Sequence, residues 1–463
     1  MESIVRLAAL RISNMKNVED GRIVMPHFYH RELFHKTAEV LGIYGQNGSG
    51  KTAIVDTLYY LQQIMIGETL SDEIAEYMDV NSEHTEVVAD FHIYKDAFLY
   101  EVSYFLVLKK KKKGAEILRE TLSCAVNENE KRSNKTVFMD YQRKDSDVIF
   151  LPKKRVDEVV EKNRELKTDL IVARKLAEKS NCSYIFGESS REIFCREYDN
   201  HFRHCSEVIR ALFQFALKDL FVIRNTHSGV ISANFLLPMA FKIEKHQMGV
   251  KGDLTIPLTE PVVLKEERKQ LLDRIVSQMN TVLYTIIPGM KIDINNHGRQ
   301  MMDDGKEGYK VELMSVRDGM LPIPIRMESD GIIKMISILN AFIQAFGNSS
   351  ICLVIDELDA GIFEYMLGEL LDIFNKSAKG QLIFTSHNLR ALEMLSDESI
   401  MFSTTNPKRR YIHMKNVKPT NNFRDVYLRG ITFGGQEEVI YEETDSLKIA
   451  RAFRKAGRSI WHE

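Results

Sequence analysis

One short segment carries residues whose types and spacing suit the binding of phosphate groups. Residues 45–52 read GQNGSGKT, and they follow an apolar stretch, 40–44, and precede helical apolar spacing over 53–61. Glycines let backbone N–H groups approach an anion closely, and the start of a helix favours negative charge. We therefore expect this loop to enclose phosphate oxygens. The residues expected to do so are Gly45, Asn47, Gly48, Ser49 and Gly50.

The last two residues of the loop add a cation and a metal ligand. Lys51 is expected to reach the β- and γ-phosphates of a nucleoside triphosphate, and the Thr52 hydroxyl to bind Mg²⁺. The alternative is a chance glycine-rich turn. The strand-like and helix-like flanks argue against that alternative, since they provide the context that the motif requires.

A second apolar stretch, 351–355, ends in an acidic pair. Asp356 is expected to bind Mg²⁺ through a water molecule. In nucleoside triphosphatases with a phosphate loop, a carboxylate at the end of a neighbouring strand holds the metal. Glu357 is expected to polarise the attacking water as a general base. The pair could instead cap the following helix, but the upstream loop favours the catalytic interpretation. We expect the acidic strand and the strand before the loop to be neighbours in one sheet.

Two further sites could contact an anion such as a phosphate group. His387 follows the apolar stretch 381–385, and a histidine at the end of a strand can reach the phosphate or orient the water. A lone surface histidine is the alternative. Ser329 and Gly331 stand at the start of a long helical pattern, where a hydroxyl and free N–H groups can meet an anion. The alternative for these two residues is a simple helix cap.

Composition sets the broad class of the protein. The chain has 463 residues, of which 44% are hydrophobic and 28% are charged, and its net charge is −2. These values are ordinary for a globular protein and give no global sign of nucleic-acid binding. The five cysteines show no paired spacing, no secretory signal begins the chain, and no stretch is apolar enough to span a membrane. We expect a cytoplasmic protein with no membrane contact.

The order of strand and helix patterns predicts an α/β fold with a mixed sheet flanked by helices. Residues 1–114 are expected to hold the phosphate loop and a pair of antiparallel strands within 85–108. Residues 115–304 are expected to form a mostly helical insertion, with a short helical hairpin within it, and 305–463 to complete the sheet. The run Lys109–Lys113 is expected to be a solvated hairpin tip, with contact to nucleic acid as the alternative.

Taken in order, these motifs resemble those of the ABC-type and SMC-like ATPases. They are more similar still to the AAA-annotated ATPases related to the overcoming-lysogenization-defect (OLD) proteins, of the type found in bacterial anti-phage defence. The resemblance covers about residues 1–110 and 305–435. It is carried by the segments GQNGSGKT, ESDG, VIDELDAG and FTSHN, by ISNMKN at 12–17, and by NFRDVYLRG at 422–430.

The resemblance implies a P-loop NTPase that binds ATP and Mg²⁺. It implies that Ser329 and Gly331 form a signature element that contacts the γ-phosphate held by a second protomer, although the turn differs from the familiar LSGGQ wording. Two chains would then meet head to tail around ATP, in a homodimer or a larger ring. No residue is identified as the glutamine-loop glutamine, and no guanine-reading element follows a strand in the second half, which favours ATP.

Two functions follow as hypotheses. The first is a regulatory ATPase with slow hydrolysis that controls a separate effector, such as a nuclease or toxin, in anti-phage defence. The second is a DNA-repair or SMC-like DNA-binding ATPase. No nuclease domain is expected in the chain, because the roughly 75 residues after His387 are too few for one.

Overall fold

The structure, a computed structural model, describes most of the chain. It covers residues 3–29, 36–128, 131–144, 148–161, 163–224, 236–245, 248–302, 305–414 and 422–459. The helices are α1 (Lys51–Met65), α2 (Ile74–Tyr77), α3 (Lys153–Val160), α4 (Leu166–Ser180), α5 (Glu188–Phe194), α6 (Arg203–Gln214), α7 (Glu266–Ile286), α8 (Asp330–Gly347), α9 (Glu364–Ser377), α10 (Ala391–Met394), α11 (Phe423–Phe433) and α12 (Ser446–Ser459).

Within the described ranges, the strands form four sheets. They are β1 (Ile4–Met15), β2 (Val18–Val24), β3 (Glu39–Tyr44), β4 (His84–Lys95), β5 (Phe98–Lys110), β6 (Ala115–Glu128), β7 (Lys131–Arg132), β8 (Thr136–Gln142), β9 (Leu220–Ile223), β10 (Leu236–Lys245), β11 (Met248–Pro257), β12 (Val262–Leu264), β13 (Met290–Met301), β14 (Glu307–Arg317), β15 (Ile323–Pro324), β16 (Cys352–Ile355), β17 (Gln381–Ser386), β18 (Ile400–Ser403) and β19 (Tyr411–Ile412).

A six-stranded sheet, ordered β19-β18-β3-β17-β16-β9, lies at the centre of the fold. All its pairs are parallel except β18 with β19. Strands β3, β16 and β17 are buried at every position, as expected for strands covered on both faces. One face packs against α1, and the other packs against α8 and α9. The predicted α/β architecture with a mixed sheet is therefore confirmed.

A larger antiparallel sheet packs on the same side as α1. Its order is β2-β1-β4-β5-β6-β7, and β8 also pairs with β6, further along the same edge as β7. Buried polar contacts join it to the central sheet. The Arg6 guanidinium of β1 donates to Glu39 of β3 at 3.1 Å, and the Leu7 N–H donates to the Gln381 side chain at 2.9 Å. These contacts fix the start of β3, the strand that leads into the phosphate loop.

The expected mostly helical insertion over 115–304 is not confirmed. Helices α3 to α7 lie in this range, but β6 and β8 extend the antiparallel sheet and β9 pairs with β16 in the central sheet. Residues 208–222 are apolar throughout much of their length but do not form one element. Helix α6 ends at Gln214, a π-helical turn follows over Phe215–Asp219, and a strand begins at Leu220. A short apolar run fits a buried helix or a buried strand equally well, so periodicity alone does not separate the two.

The expectation that the acidic strand adjoins β3 is wrong, because β17 lies between β3 and β16. Strand order depends on how the crossover helices pack, and a local pattern does not encode it. The expected antiparallel strands within 85–108 are present as β4 and β5, paired from His84 with Lys109 to Lys95 with Phe98. Within the described ranges, no helix is long and apolar enough to cross a membrane.

Candidate functional site

The loop between β3 and α1 is shaped by glycines. Gly48 and Gly50 have φ angles of 79° and 91°, in the left-handed region that disfavours side chains. A Cβ on Gly50 would also lie 3.0–3.2 Å from Val18, Asn17 and Arg410. The loop therefore takes a conformation that few other residues would allow, and its backbone comes close to neighbouring groups.

Lys51 begins α1 and turns back over the loop. Its side chain is buried, and its Nζ donates to the carbonyls of Gly45 at 2.8 Å and Gln46 at 3.0 Å. Burial lowers the pKa of Lys51. The carboxylates of Asp356, Glu357 and Asp359 partly offset this shift, because they favour the charged form of the lysine. A cation surrounded by the loop in this way can neutralise phosphate charge where water is scarce.

Asp356 and Thr52 meet although they come from different elements. The Thr52 hydroxyl lies 3.4 Å from Asp356 Oδ1, and Thr385 Oγ1 donates to the same oxygen at 2.6 Å. Asp356 is 1% exposed, and its Oδ2 has no hydrogen-bond partner within the described part of the chain. An orphaned buried carboxylate oxygen costs free energy unless it meets a ligand. The pair therefore fits Mg²⁺, which commonly combines one or two protein ligands with phosphates and water.

Glu357 occupies a strained backbone position. Its φ of 49° is unusual for a residue with a side chain. Its N–H donates to Thr385 Oγ1 at 2.7 Å, and its carbonyl accepts from Lys334 Nζ. This backbone conformation redirects the chain at the end of β16, and Glu357 lines the same cavity as the phosphate loop.

His387 lies at the end of β17, the strand between β3 and β16. Its backbone N–H donates to Asp359 Oδ2 at 3.0 Å. Partial burial and then the positive charge of Lys51 lower the pKa of His387. A neutral imidazole is therefore favoured near neutral pH, and such a ring can either accept a proton or donate a hydrogen bond.

These groups share one cavity of about 300 Å³. The cavity is lined by Lys16, Asn17, Asn47, Gly48, Gly50, Lys51, Thr52, Ala53, Asp356, Glu357 and His387. Gly45 and Ser49 belong to the loop but do not line the cavity. Ser329 and Gly331 lie elsewhere, at the start of α8, where Gly331 packs against the Gly361 backbone. The structure thus brings together the loop, the acidic pair and His387 within one chain, and it leaves the signature-like turn outside that cavity.

Sequence reasoning missed several residues around this cavity. Lys16 and Asn17 form the turn between β1 and β2 and lie over the loop; Asn17 donates to the Gly48 carbonyl, and Lys16 pairs with Asp56. Tyr411 donates to the Gly50 carbonyl at 2.6 Å. Of these residues, only Lys16 and Asn17 could be identified from the sequence, because they lie in the segment ISNMKN, which carries part of the family resemblance. Tyr411 is about 360 residues away in sequence and carries no local motif.

Thr385 links the two acids, because its hydroxyl donates to Asp356 and accepts from Glu357. We expect Thr385→Val to destabilise the protein by about 1–3 kcal/mol, since Asp356 Oδ1 and the Glu357 N–H each lose a hydrogen bond. Thermal unfolding measures this effect. Thr385→Ser keeps the hydroxyl and should stay near wild type; a Val variant as stable as wild type would contradict this role.

The sequence matches no protein-family model, and comparison with curated proteins finds no match. Solved structures do match. An Smc head bound to the C-winged helix domain of ScpA is 13% identical, with a TM-score of 0.42 over 89% of this chain and 98% of that chain. The SMC head domain from Thermotoga maritima is 11% identical, with a TM-score of 0.35 over 89% and 99%.

A structure of the recombination mediator protein RecF with ATP is also similar. It is 11% identical to this chain, with a TM-score of 0.32 over 83% of this chain and 94% of that chain. Similarity at these identities and TM-scores does not establish a shared activity. The function of this chain must therefore be inferred from the cavity itself.

Proposed function

We propose that this protein binds ATP with Mg²⁺ at the cavity between the phosphate loop and the acidic pair, and hydrolyses the ATP slowly. The observation that carries this proposal is the convergence of Lys51, Thr52, Asp356, Glu357 and His387 on one cavity from three strands of one sheet. Phosphate transfer needs mainly positioning and charge stabilisation, and these residue types supply both.

Each residue has a distinct role in this proposal. Lys51 and the loop N–H groups bind the β- and γ-phosphates, and Thr52 with Asp356 would hold Mg²⁺, which neutralises phosphate charge when bound. Glu357 accepts a proton from the water that attacks the γ-phosphorus, while the bond from that phosphorus to the bridging oxygen of ADP breaks. His387 orients that water or donates to the γ-phosphate.

We further propose that two chains complete the site head to tail, as a dimer or within a larger ring. Support comes from Ser329 and Gly331, which lie outside the cavity of their own chain and begin a helix that can offer N–H groups to a partner's nucleotide. ATP would then control assembly. Such a switch suits a regulatory ATPase that acts on a separate effector, such as a nuclease or toxin in anti-phage defence. The five cysteines form no disulfide with one another, which fits a reducing, cytoplasmic setting.

Phosphate release from ATP by the purified protein tests the hydrolysis. We expect slow release that requires Mg²⁺ and stops when EDTA removes the metal, because without Mg²⁺ nothing offsets the repulsion between the Asp356 carboxylate and the triphosphate. Release from GTP should be weaker than release from ATP. Activity that persists in EDTA, or no activity above buffer at any Mg²⁺ concentration, would contradict the proposal.

The second candidate function is a DNA-repair or SMC-like ATPase that contacts DNA through Lys109–Lys113. Lys109 and Lys110 end β5, and Lys111 to Lys113 lie at the tip of the β5–β6 hairpin. Two of the lysines are paired: Lys111 with Glu116 at 2.7 Å, and Lys113 with Asp72 at 3.8 Å. The pairing reduces the charge available to DNA phosphates. Salt-dependent binding to duplex DNA, lost when the five lysines are neutralised, would favour this second function.

A further inference from the structure

Helix α8 buries a lysine beside the acidic pair. Lys334 is the only cation in this largely apolar helix, and it is 4% exposed. Its Nζ donates to the backbone carbonyl of Glu357. A buried ammonium is costly unless it is bound by oxygen and balanced by negative charge. The carboxylates of Asp356, Glu357 and Asp359 provide that balance.

This contact holds a residue whose backbone is strained. With a φ of 49°, Glu357 persists in the left-handed region only if its surroundings impose that conformation. Thr385 binds its N–H from β17, and Lys334 binds its carbonyl from α8. The backbone N–H and carbonyl of the proposed general base are thus each bound by a side chain from a different element, and the carbonyl also accepts from the Ala360 N–H at 3.0 Å.

The start of the same helix touches the loop that follows the acidic pair. An added Cβ on Gly331 would lie 1.8 Å from the Gly361 carbonyl oxygen, so the two backbones are in direct contact. Lys334 lies three residues further along α8, about one helical turn from Gly331. Lys334, which holds Glu357, therefore belongs to the same helical turn as Gly331, which would face a partner's nucleotide.

We propose that Lys334 is a positioning residue, which fixes Glu357 for proton transfer and couples it to the N-terminal turn of α8. The inference rests on the proposed ATPase function and goes beyond it. A partner's ATP that engages Ser329 would act on this turn, and Lys334 would transmit the change to the general base of its own chain. Hydrolysis in the two sites of a dimer would thereby be linked.

Steady-state ATP hydrolysis by Lys334→Met, Lys334→Arg and wild type tests the role of Lys334. We expect Lys334→Met to lower kcat roughly tenfold or more and to change KM by less than about twofold, because the phosphate loop is untouched. Lys334→Arg keeps a cation that can reach the carbonyl and should recover kcat to within roughly threefold of wild type. The control Lys376→Met removes an exposed lysine of α9 and should behave as wild type.

Several outcomes would overturn the inference. A wild-type kcat in Lys334→Met is one of them. Another is an equal loss of kcat in the Met and Arg variants together with lower melting temperatures, because that combination indicates a packing role. If Lys334→Met does not fold, Lys334→Gln replaces it, and a wild-type kcat there is equally decisive. A wild-type protein that neither binds nor hydrolyses ATP would instead overturn the proposed function itself.

Discussion

Replacing Lys51 with alanine is expected to abolish the stabilisation of the protein by ATP. Lys51 Nζ is buried within the loop and bonded only to loop carbonyls among the described contacts, so a phosphate would find its main cation there. Losing one charge-assisted contact of this kind costs about 3 kcal/mol, which is roughly a hundredfold in Kd.

Thermal unfolding with and without ATP measures this loss. A ligand present at roughly 100 times its Kd stabilises the folded state by about 2.7 kcal/mol; at the same ATP concentration Lys51→Ala should show almost no shift in melting temperature. Lys112→Ala, in the exposed hairpin tip, is the control and should keep the wild-type shift. An ATP shift in Lys51→Ala equal to that of wild type would count against the assignment of the loop.

Replacing Glu357 with glutamine is expected to stop hydrolysis while leaving ATP binding intact. The amide cannot accept the proton of the attacking water, and losing a general base lowers rates by roughly 10²–10⁴-fold. The shape of the side chain and the backbone contacts to Thr385 and Lys334 are retained. ATP should therefore remain bound and hold two chains together in the proposed head-to-tail dimer.

Gel filtration with and without ATP tests the trapped form, and phosphate release tests the rate. We expect the Glu357→Gln protein to shift from the 53.4 kDa chain to a larger species only when ATP is present. Glu364→Gln replaces an exposed glutamate at the start of α9 and serves as the control. Normal turnover by Glu357→Gln would show that another group acts as the base.

The phosphate loop and the acidic pair were visible in the sequence because each is local. A glycine-rich turn with Lys51 and Thr52 carries its own geometry, and a fully apolar strand before Asp356 marks the end of a buried parallel strand. The strand order was not visible. Only the packed structure places β17 between them, and with it Thr385, whose hydroxyl joins the two acids.

Lys334 shows a second limit of sequence reasoning. Its helix has strong apolar periodicity, so the sequence alone indicates that Lys334 is an ordinary charged residue of an amphipathic helix. A cation at a core position was nonetheless a signal, because a lysine is rarely buried without a partner. What the pattern does not supply is the partner, since the Glu357 carbonyl is 23 residues away and on another element. In the middle region, β9 pairs with β16, which is far away in sequence and which no local pattern indicates, whereas β10 with β11 and β13 with β14 are local hairpins.

Isothermal titration of the wild-type protein with ATP, in the presence of Mg²⁺ and in EDTA, tests most directly whether the cavity holds a metal-bound triphosphate. The proposal predicts saturable binding of one ATP per chain, since the chain has one phosphate loop, and clearly weaker binding without the metal because Thr52 and Asp356 then hold no Mg²⁺. Absence of binding in Mg²⁺, or an affinity that is identical in EDTA, would contradict it.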